Sequence, residues 1–207
     1  MLLEAKNISY RYSPKDPWIL EDVSFCIETG ERVALIGSSG CGKSTLAKIL
    51  SGYIQPSKGE VLLEGAPLPA SGFCPVQMIY QHPELAVNPR HRMKKILTEC
   101  WEPDGELLKA MGIEEEWLSR WPNELSGGEL QRFCIARVLG PQTKFLLCDE
   151  ISTMLDVITQ AQIWELVLDC AAKNGLGLIV VTHNEALAQK VCDRTIALPQ
   201  LNRCQAL

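Results

Sequence analysis

Gly37-Ser38-Ser39-Gly40-Cys41-Gly42-Lys43-Ser44-Thr45 carries the spacing G-x-x-x-x-G-K-[ST]. It follows the apolar run Val33 to Ile36 and opens the helix-like segment Leu46 to Leu50. That is a phosphate-binding loop in the strand–loop–helix setting its chemistry requires. The glycines let the backbone turn N–H groups onto phosphate oxygens. The helix start adds a positive dipole end. Lys43 can neutralise the β- and γ-phosphates, and the Ser44 hydroxyl can ligate Mg²⁺. At average residue frequencies the pattern arises by chance in about one chain in a hundred of this length. The flanking strand and helix lower that further, so a bound nucleotide is expected.

Two more segments can do chemistry beside it. Phe145 to Cys148 is an apolar strand with Asp149 and Glu150 at its C-terminal end. Open α/β sheets bind ligands at that end. Asp149 is placed to hold Mg²⁺ next to the loop, and Glu150, one residue on, to polarise an attacking water. Leu125-Ser126-Gly127-Gly128-Glu129 joins a turn to a helix. Ser126 is a good N-cap, and the N–H groups behind it form a second anion site. One chain then has two phosphate sites, which means a second nucleotide or a second copy of the chain. His183 follows the apolar strand Leu178 to Thr182.

The elements that position these groups alternate. Residues 1–36 read as short strands, Ala5 to Tyr12, Val23 to Ile27 and Val33 to Ile36, with a hairpin around Gly30. A strand–turn–strand piece lies near Gly59 to Leu63, and another strand at Val76 to Tyr80 ends at Gln81. Residues 84–124 lose strand character. His91 to Trp101, Glu106 to Met111 and Glu114 to Trp121 read as short helices broken by Pro103-Asp104-Gly105, Gly112 and Pro122. Trp117 and Trp121 stand four apart and are expected to pack on one helix face. From Ser126 onward helices at 158–173 and 185–192 alternate with strands at 145–148, 178–182 and 195–198. That pattern makes a largely parallel sheet covered on both faces.

Composition sets the limits. The 207 residues are 46% hydrophobic and 22% charged, as in a folded domain. The net charge of -5 argues against a nucleic-acid surface built on bulk positive charge. The nine cysteines form no C-x-x-C pair and read as reduced, mostly buried thiols of a cytosolic protein. Cys41, among helix-start N–H groups, is expected to be the reactive one. The N-terminus has no signal-peptide apolar region, and no stretch approaches the ~20 apolar residues of a membrane span. A membrane role therefore needs another chain.

Taken together the chain resembles the nucleotide-binding subunit of an ABC transporter. The loop at 37–45, Gln81, Leu125 to Glu129, Phe145 to Glu150 and His183 occur in that family's order and spacing. The resemblance implies an α/β phosphate-loop ATPase of ABC type. It would have a mostly parallel core, an N-terminal antiparallel part and a helical subdomain at about 84–140, all in a single domain over 1–207. It implies ATP and Mg²⁺ as ligands, with Ser44, Gln81 and Asp149 at the metal. Glu150, His183, Gln81 and Lys43 would be catalytic. Tyr12 would stack on adenine, with Tyr10 and Trp18 as nearby alternatives. Ser126, Gly127 and Gly128 would bind the γ-phosphate held by the opposite subunit, and Asp156 would sit at the dimer seam. Gln81 would also sense the membrane partner.

The implied partners are permease subunits, a second identical or sister ATPase, and indirectly a substrate-binding protein, at the cytoplasmic face of the cell membrane. Gln81 to Arg90 and Leu155 to Ile163 are similar to the oligopeptide/nickel importer branch. Two departures stand out. Ile151-Ser152-Thr153-Met154 replaces the usual Pro-Thr-Ser-Ala, and the chain stops soon after Leu198, without that branch's C-terminal extension. A soluble ABC-type ATPase of translation or DNA repair, or an ATP-dependent scaffold, is the alternative. The missing tandem cassette, the missing coiled-coil insertion and the intact Glu150 and His183 weigh against these.

Overall fold

The computed structural model describes residues 1–152 and 155–205. Thr153 and Met154, half of the departing seam loop, lie outside the described residues. Two sheets form the frame. The antiparallel sheet holds β1 (Leu2–Tyr10), β2 (Leu20–Glu28), β4 (Lys58–Leu63) and β5 (Ala66–Pro67), in the order β2-β1-β4-β5. The parallel sheet holds β3 (Arg32–Ile36), β6 (Val76–Ile79), β7 (Phe145–Asp149), β8 (Gly177–Val181) and β9 (Arg194–Ala197), in the order β6-β7-β8-β3-β9. The alternating strands and helices of the sequence thus give the expected α/β architecture.

Burial explains which strand joins which sheet. Every residue of β7 and β8 is buried. Successive side chains point to opposite faces, so each strand feeds two cores. Phe145, Leu147, Ile179 and Val181 pack with Val33, Leu35, Leu46 and Ile49 on the side of the antiparallel sheet. Leu146, Cys148, Leu178 and Val180 pack with Ile96, Phe133, Ile135 and Val167 on the helical side. Continuous apolar runs are the signature of strands covered on both faces.

The same logic corrects the expected hairpin at Gly30. The turn exists, with Gly30 at φ 85 and Glu31 N–H donating to Glu28 C=O at 3.1 Å. The strands on either side of it do not pair. β2 pairs antiparallel with β1, from Leu2 opposite Glu28 to Tyr10 opposite Leu20. β3, with Val33, Ala34 and Leu35 all buried, goes between β8 and β9.

Between β6 and β7 the described chain is helical. It holds the 3₁₀ turn Pro83–Leu85, then α2 (Met93–Leu97) and α3 (Gly105–Ala110), then two further 3₁₀ turns and α4 (Gly127–Ala136). Asp104 caps α3 by accepting from Leu107 N–H at 2.7 Å. Trp117 and Trp121 do not share a helix face. Trp117 lies in the turn Glu115–Ser119 and packs half-buried on the core. Trp121 precedes Pro122, which drives it to an extended backbone. Its ring is exposed, under the Arg92 guanidinium at 4.8 Å.

The third group of helices is α1 (Lys43–Leu50), α5 (Val157–Asn174), α6 (Glu185–Val191) and α7 (Leu198–Leu201). Asn202, fully buried after α7, accepts from Glu21 N–H at 2.8 Å and donates to Ile19 C=O at 2.8 Å. This ties the chain's end to the start of β2.

One contact sets the pairing of β1 with β4. A Cβ on Gly59 would lie 2.3 Å from Lys6 C=O and 2.4 Å from Asn7 C=O, and its φ is +82. Gly30 has a similar φ of +85 but nothing within 4 Å of such a Cβ. Gly59→Ala should therefore destabilise by about 3 kcal/mol or more, and Gly30→Ala by only about 1 kcal/mol. Urea unfolding of the two variants measures the difference, and equal losses would show that backbone conformation alone sets the cost.

Candidate functional site

The parallel sheet puts four connections on one edge. β6, β7, β8 and β3 are consecutive and run the same way. Their C-terminal ends lead to Gln81, to Asp149 and Glu150, to His183, and to the phosphate loop. A cavity of about 570 Å³ opens there, lined by Ser39, Gly40, Lys43, Gln81, Glu150 and His183 among others. Ligands in open α/β sheets occupy such an edge.

The loop is built on Gly42, which caps α1 in the left-handed region at φ 100. A Cβ there would lie 2.9 Å from Leu20 Cδ2 and 3.1 Å from Ile19 Cγ2. The loop therefore sits directly on the start of β2. Lys43 is buried, and its Nζ donates to Gly37 C=O and Ser38 C=O, each at 2.9 Å. The cation is folded back onto its own loop. Ser44 Oγ donates to Asp149 Oδ1 at 3.1 Å, and Thr45 also lines the cavity.

Cys41 departs from expectation. It is only 3% exposed and belongs to the core beneath the loop, with Leu46, Ile49 and Leu198. A Cβ on Gly37 would lie 2.6 Å from its Sγ. The side chain packs into that core and is not among the described residues lining the cavity. Alkylation of Cys41 would need the loop to open.

Glu150 is the hub. It is a non-glycine residue at φ 48, a conformation that costs on the order of 1–3 kcal/mol and clusters at functional sites. This turn lifts its side chain out of the β7 line and into the cavity. Oε2 accepts from Gln81 Nε2 at 3.2 Å, and Oε1 pairs with His183 Nδ1 at 2.8 Å. Asp149 stays in the strand, 4% exposed. Burial raises its carboxyl above the ordinary value, and the charge on Glu150 adds to this. The Ser44 hydrogen bond and Lys48 and Lys43 pull it down without cancelling the rise.

Among the three aromatic alternatives only Tyr12 faces the cavity. Its ring is 67% exposed and lines the cavity beside Ile19. Tyr10 packs against the core and meets Tyr12 edge-on at 5.2 Å. Trp18 is held between the Arg11 and Lys58 cations, 4.5 and 5.4 Å from its ring. Ile19 was not among the residues expected here.

Ser126, Gly127, Gly128 and Asp156 are not among the described residues lining the cavity. Ser126 caps α4 in a reciprocal box: its Oγ accepts from Glu129 N–H at 3.3 Å, and Glu129 Oε2 accepts from Ser126 N–H at 2.8 Å. Ser126 and Gly127 are exposed. Asp156 caps α5, its Oδ1 accepting from Ile158 N–H at 3.1 Å and Thr159 N–H at 3.0 Å. Leu155 connects the two places, lying 3.1 Å from a Cβ on Gly128.

A model of the ABC transporter family matches residues 20–153. The chain belongs to the ABC transporter family. It has the ABC-type ATPase cassette. It is 34% identical to "Probable peptide ABC transporter ATP-binding protein y4tS" of Sinorhizobium fredii over 98% of its length. It spans 65% of that longer protein. It is 34% identical to the nickel import ATP-binding protein NikE of Escherichia coli, over 95% of this chain and 83% of that protein. A dimeric post-hydrolysis ATP-binding cassette bound to ADP and Pi superposes with a TM-score of 0.79 at 26% identity. The match covers 94% of this chain and 93% of that one.

The donor set around Ser44 and Asp149 fits a Mg²⁺ ion. That ion is held by one or two carboxylates and hydroxyls together with substrate phosphates. No group of three His, Cys, Asp or Glu residues that could cage a metal exists among the described residues. A carboxyl whose pKa is raised by burial is less stable ionised in the fold than in the unfolded chain. Its contribution is intact below pH 3.8 and is lost as pH rises through its higher folded value. In protein free of nucleotide and metal, Asp149→Asn should raise the urea midpoint at pH 7. The gain should vanish as pH falls below 3.8. A loss of stability at pH 7 would mean that the lysines outweigh burial.

Proposed function

We propose that this chain is the ATP-hydrolysing subunit of an ABC importer for peptides or nickel complexes, and that it works as a dimer beneath permease subunits. The observation that carries the proposal is the Glu150 carboxylate held between Gln81 and His183 at the mouth of the phosphate loop. A carboxylate so oriented can take a proton from a water in line with a γ-phosphate. The names of the relatives support import of peptide or nickel.

In this reading Lys43 leaves the carbonyls of Gly37 and Ser38 for the β- and γ-phosphates, and the loop N–H groups complete the cradle. Ser44 and Asp149, with Gln81, would hold Mg²⁺, which would supply neutralisation of the phosphate charge. Glu150 orients and deprotonates water. His183 steadies Glu150 and reaches the γ-phosphate. Tyr12 stacks on adenine. Ser126, Gly127 and Gly128 serve the nucleotide of the opposite subunit, and Asp156 lies at the seam. Helical residues 84–140 act as a subdomain within one 1–207 domain.

No helix among the described residues is long and apolar enough to cross a membrane. We assign the permease to a groove of about 270 Å³ beside the helical part, lined by Tyr53, Leu85, Ala86 and Val138. Leu85 and Tyr53 are exposed there. Leu85 belongs to the turn Pro83–Leu85, two residues after Gln81, so an occupant presses on the segment that holds Gln81.

Glu150→Gln should lower ATP turnover at least a hundredfold, keep ATP binding and trap a dimer by size-exclusion chromatography with ATP. Wild-type turnover in that variant would sink the mechanism. Pull-down of the trapped variant from its own membranes, with mass spectrometry, tests the importer reading. Permease subunits support it, whereas ribosomal or DNA-repair partners overturn it. Tyr12→Ala should weaken ATP binding about tenfold at unchanged melting temperature, read by nucleotide titration. An equal loss for bare triphosphate would show that Tyr12 is not the base platform.

A further inference from the structure

Helix α4 is stitched to the segment after β6 in a constant register. Gln131 Nε2 donates to Tyr80 C=O at 3.2 Å. Cys134 Sγ lies 3.8 Å from Pro83 C=O as a thiol donor. Arg137 Nη1 donates to Ala86 C=O at 2.9 Å. Each pair is 51 residues apart in sequence, and both chains advance three residues per rung. Residues three apart share a helix face, so one edge of α4, with its C-cap Arg137, hands side-chain donors to every third carbonyl of residues 80–86.

Two of the three donors are enclosed, and Arg137 is part-buried. Gln131 is 3% exposed and Cys134 also 3%. Burial pushes the Cys134 thiol up to about 12, so it stays protonated as a donor. Arg137 is anchored from both sides, with Glu99 3.8 Å away and Trp101 Nε1 donating to its carbonyl at 2.9 Å. If α4 slides past this segment the three donors lose these partners together, and so do the part-buried Tyr80 and Ala86 carbonyls, while Pro83 C=O keeps the Ala86 N–H at 3.0 Å. Each buried group left unmet costs about 1–3 kcal/mol. α4 and residues 80–86 therefore move as one piece.

The two ends of that piece are chemically different. One is the exposed Ser126-Gly127 turn at the N-terminus of α4, the second anion site. The other is Gln81, next to the first rung and bonded to Glu150 at 3.2 Å. We propose that Gln131, Cys134 and Arg137 are positioning residues. Through them, a phosphate bound at Ser126–Gly128, or an occupant of the Leu85 groove, sets the Gln81–Glu150 contact of the same chain. The inference rests on the function proposed above, since it needs Gln81 to act on hydrolysis. Gln131 is the decisive rung, as its carbonyl partner is the residue before Gln81.

The test is a double-mutant cycle on the full chain, at saturating ATP and Mg²⁺ with protein concentrated enough to dimerise. Gln131→Met keeps the shape and loses the donor. It should lower kcat about tenfold, with KM for ATP within about twofold. On top of Gln81→Ala it should cause no further loss, because both changes break one connection. A tenfold loss that repeats in full in the Gln81→Ala background, or no loss at all, overturns the proposal.

Hydrogen exchange gives a readout apart from turnover. In Glu150→Gln with ATP, amides of 80–86 and 126–132 should gain protection together. Adding Gln131→Met should leave only 126–132 protected, and joint protection in both would overturn the proposal. If Gln131→Met does not fold, the outer rung decides: Arg137→Ala should reproduce the kcat loss and Arg137→Lys should restore it, whereas equal effects of the two overturn it. Failure of the function itself looks different, because the wild-type chain would then hydrolyse no ATP.

Discussion

The site depends on four strands running the same way side by side. β6, β7, β8 and β3 are in parallel register, with Asp149 and Leu35 both level with Val181, and Ile79 level with Cys148. Because the strands are parallel, each ends on the same edge. An antiparallel neighbour would send its connection to the opposite side. The order also places β8 between the strand of the phosphate loop and the strand of the two acids. This spacing leaves room for a nucleotide tail between Lys43 and Glu150. The sheet can hold the register because both faces are buried, and a slip of one residue would move Phe145, Leu147, Ile179 and Val181 into the wrong core.

That edge carries several local costs. Glu150 stands in a left-handed backbone conformation. The Asp149 carboxyl is buried, with a hydroxyl as its direct partner. The Lys43 ammonium is satisfied by two carbonyls of its own loop. Charge-assisted bonds of that kind contribute about 1.5–3 kcal/mol each, so the lysine rests in a real well. In the function proposed above, a triphosphate with its cation would offer stronger partners to both Lys43 and Asp149. The resting arrangement is thus a set of weaker contacts that binding exchanges for stronger ones. Such sites gain affinity without large movement, because the side chains already point at the place where charge will arrive.

Much of this was legible in the sequence, for a physical reason. Residues that end a buried strand have only one edge to go to, so Gln81, Asp149, Glu150 and His183 could be placed from the apolar runs before them. The errors arose where the outcome depended on packing between distant parts. The turn at Gly30 was correct, yet β3 pairs with strands more than 140 residues away. Trp117 and Trp121 had helical spacing, but Pro122 broke the path between them. Cys41 was placed by its backbone neighbours, while its side chain was decided by the core under the loop. Ile19 and the rungs from α4 have no sequence signal at all, because side-chain to carbonyl contacts leave the donor's partner unspecified.

The proposed second anion site gives the last step. Ser126 and Glu129 already satisfy each other in a complete capping box, so α4 begins stably with no ligand. Its exposed Gly127 leaves the helix start open to solvent, away from the cavity that its own chain builds. A preformed helix terminus on the outside of one chain, and a phosphate cradle open at its mouth on the same chain, are complementary halves. In a two-fold dimer each half meets its counterpart twice, since a contact from one copy to the other is returned by symmetry. If α4 and residues 80–86 move together as proposed, what one copy's helix meets on its partner is passed within that copy to Gln81, and the two proposed hydrolysis sites are joined by short contacts within each copy and not by a long chain of loosely packed side chains.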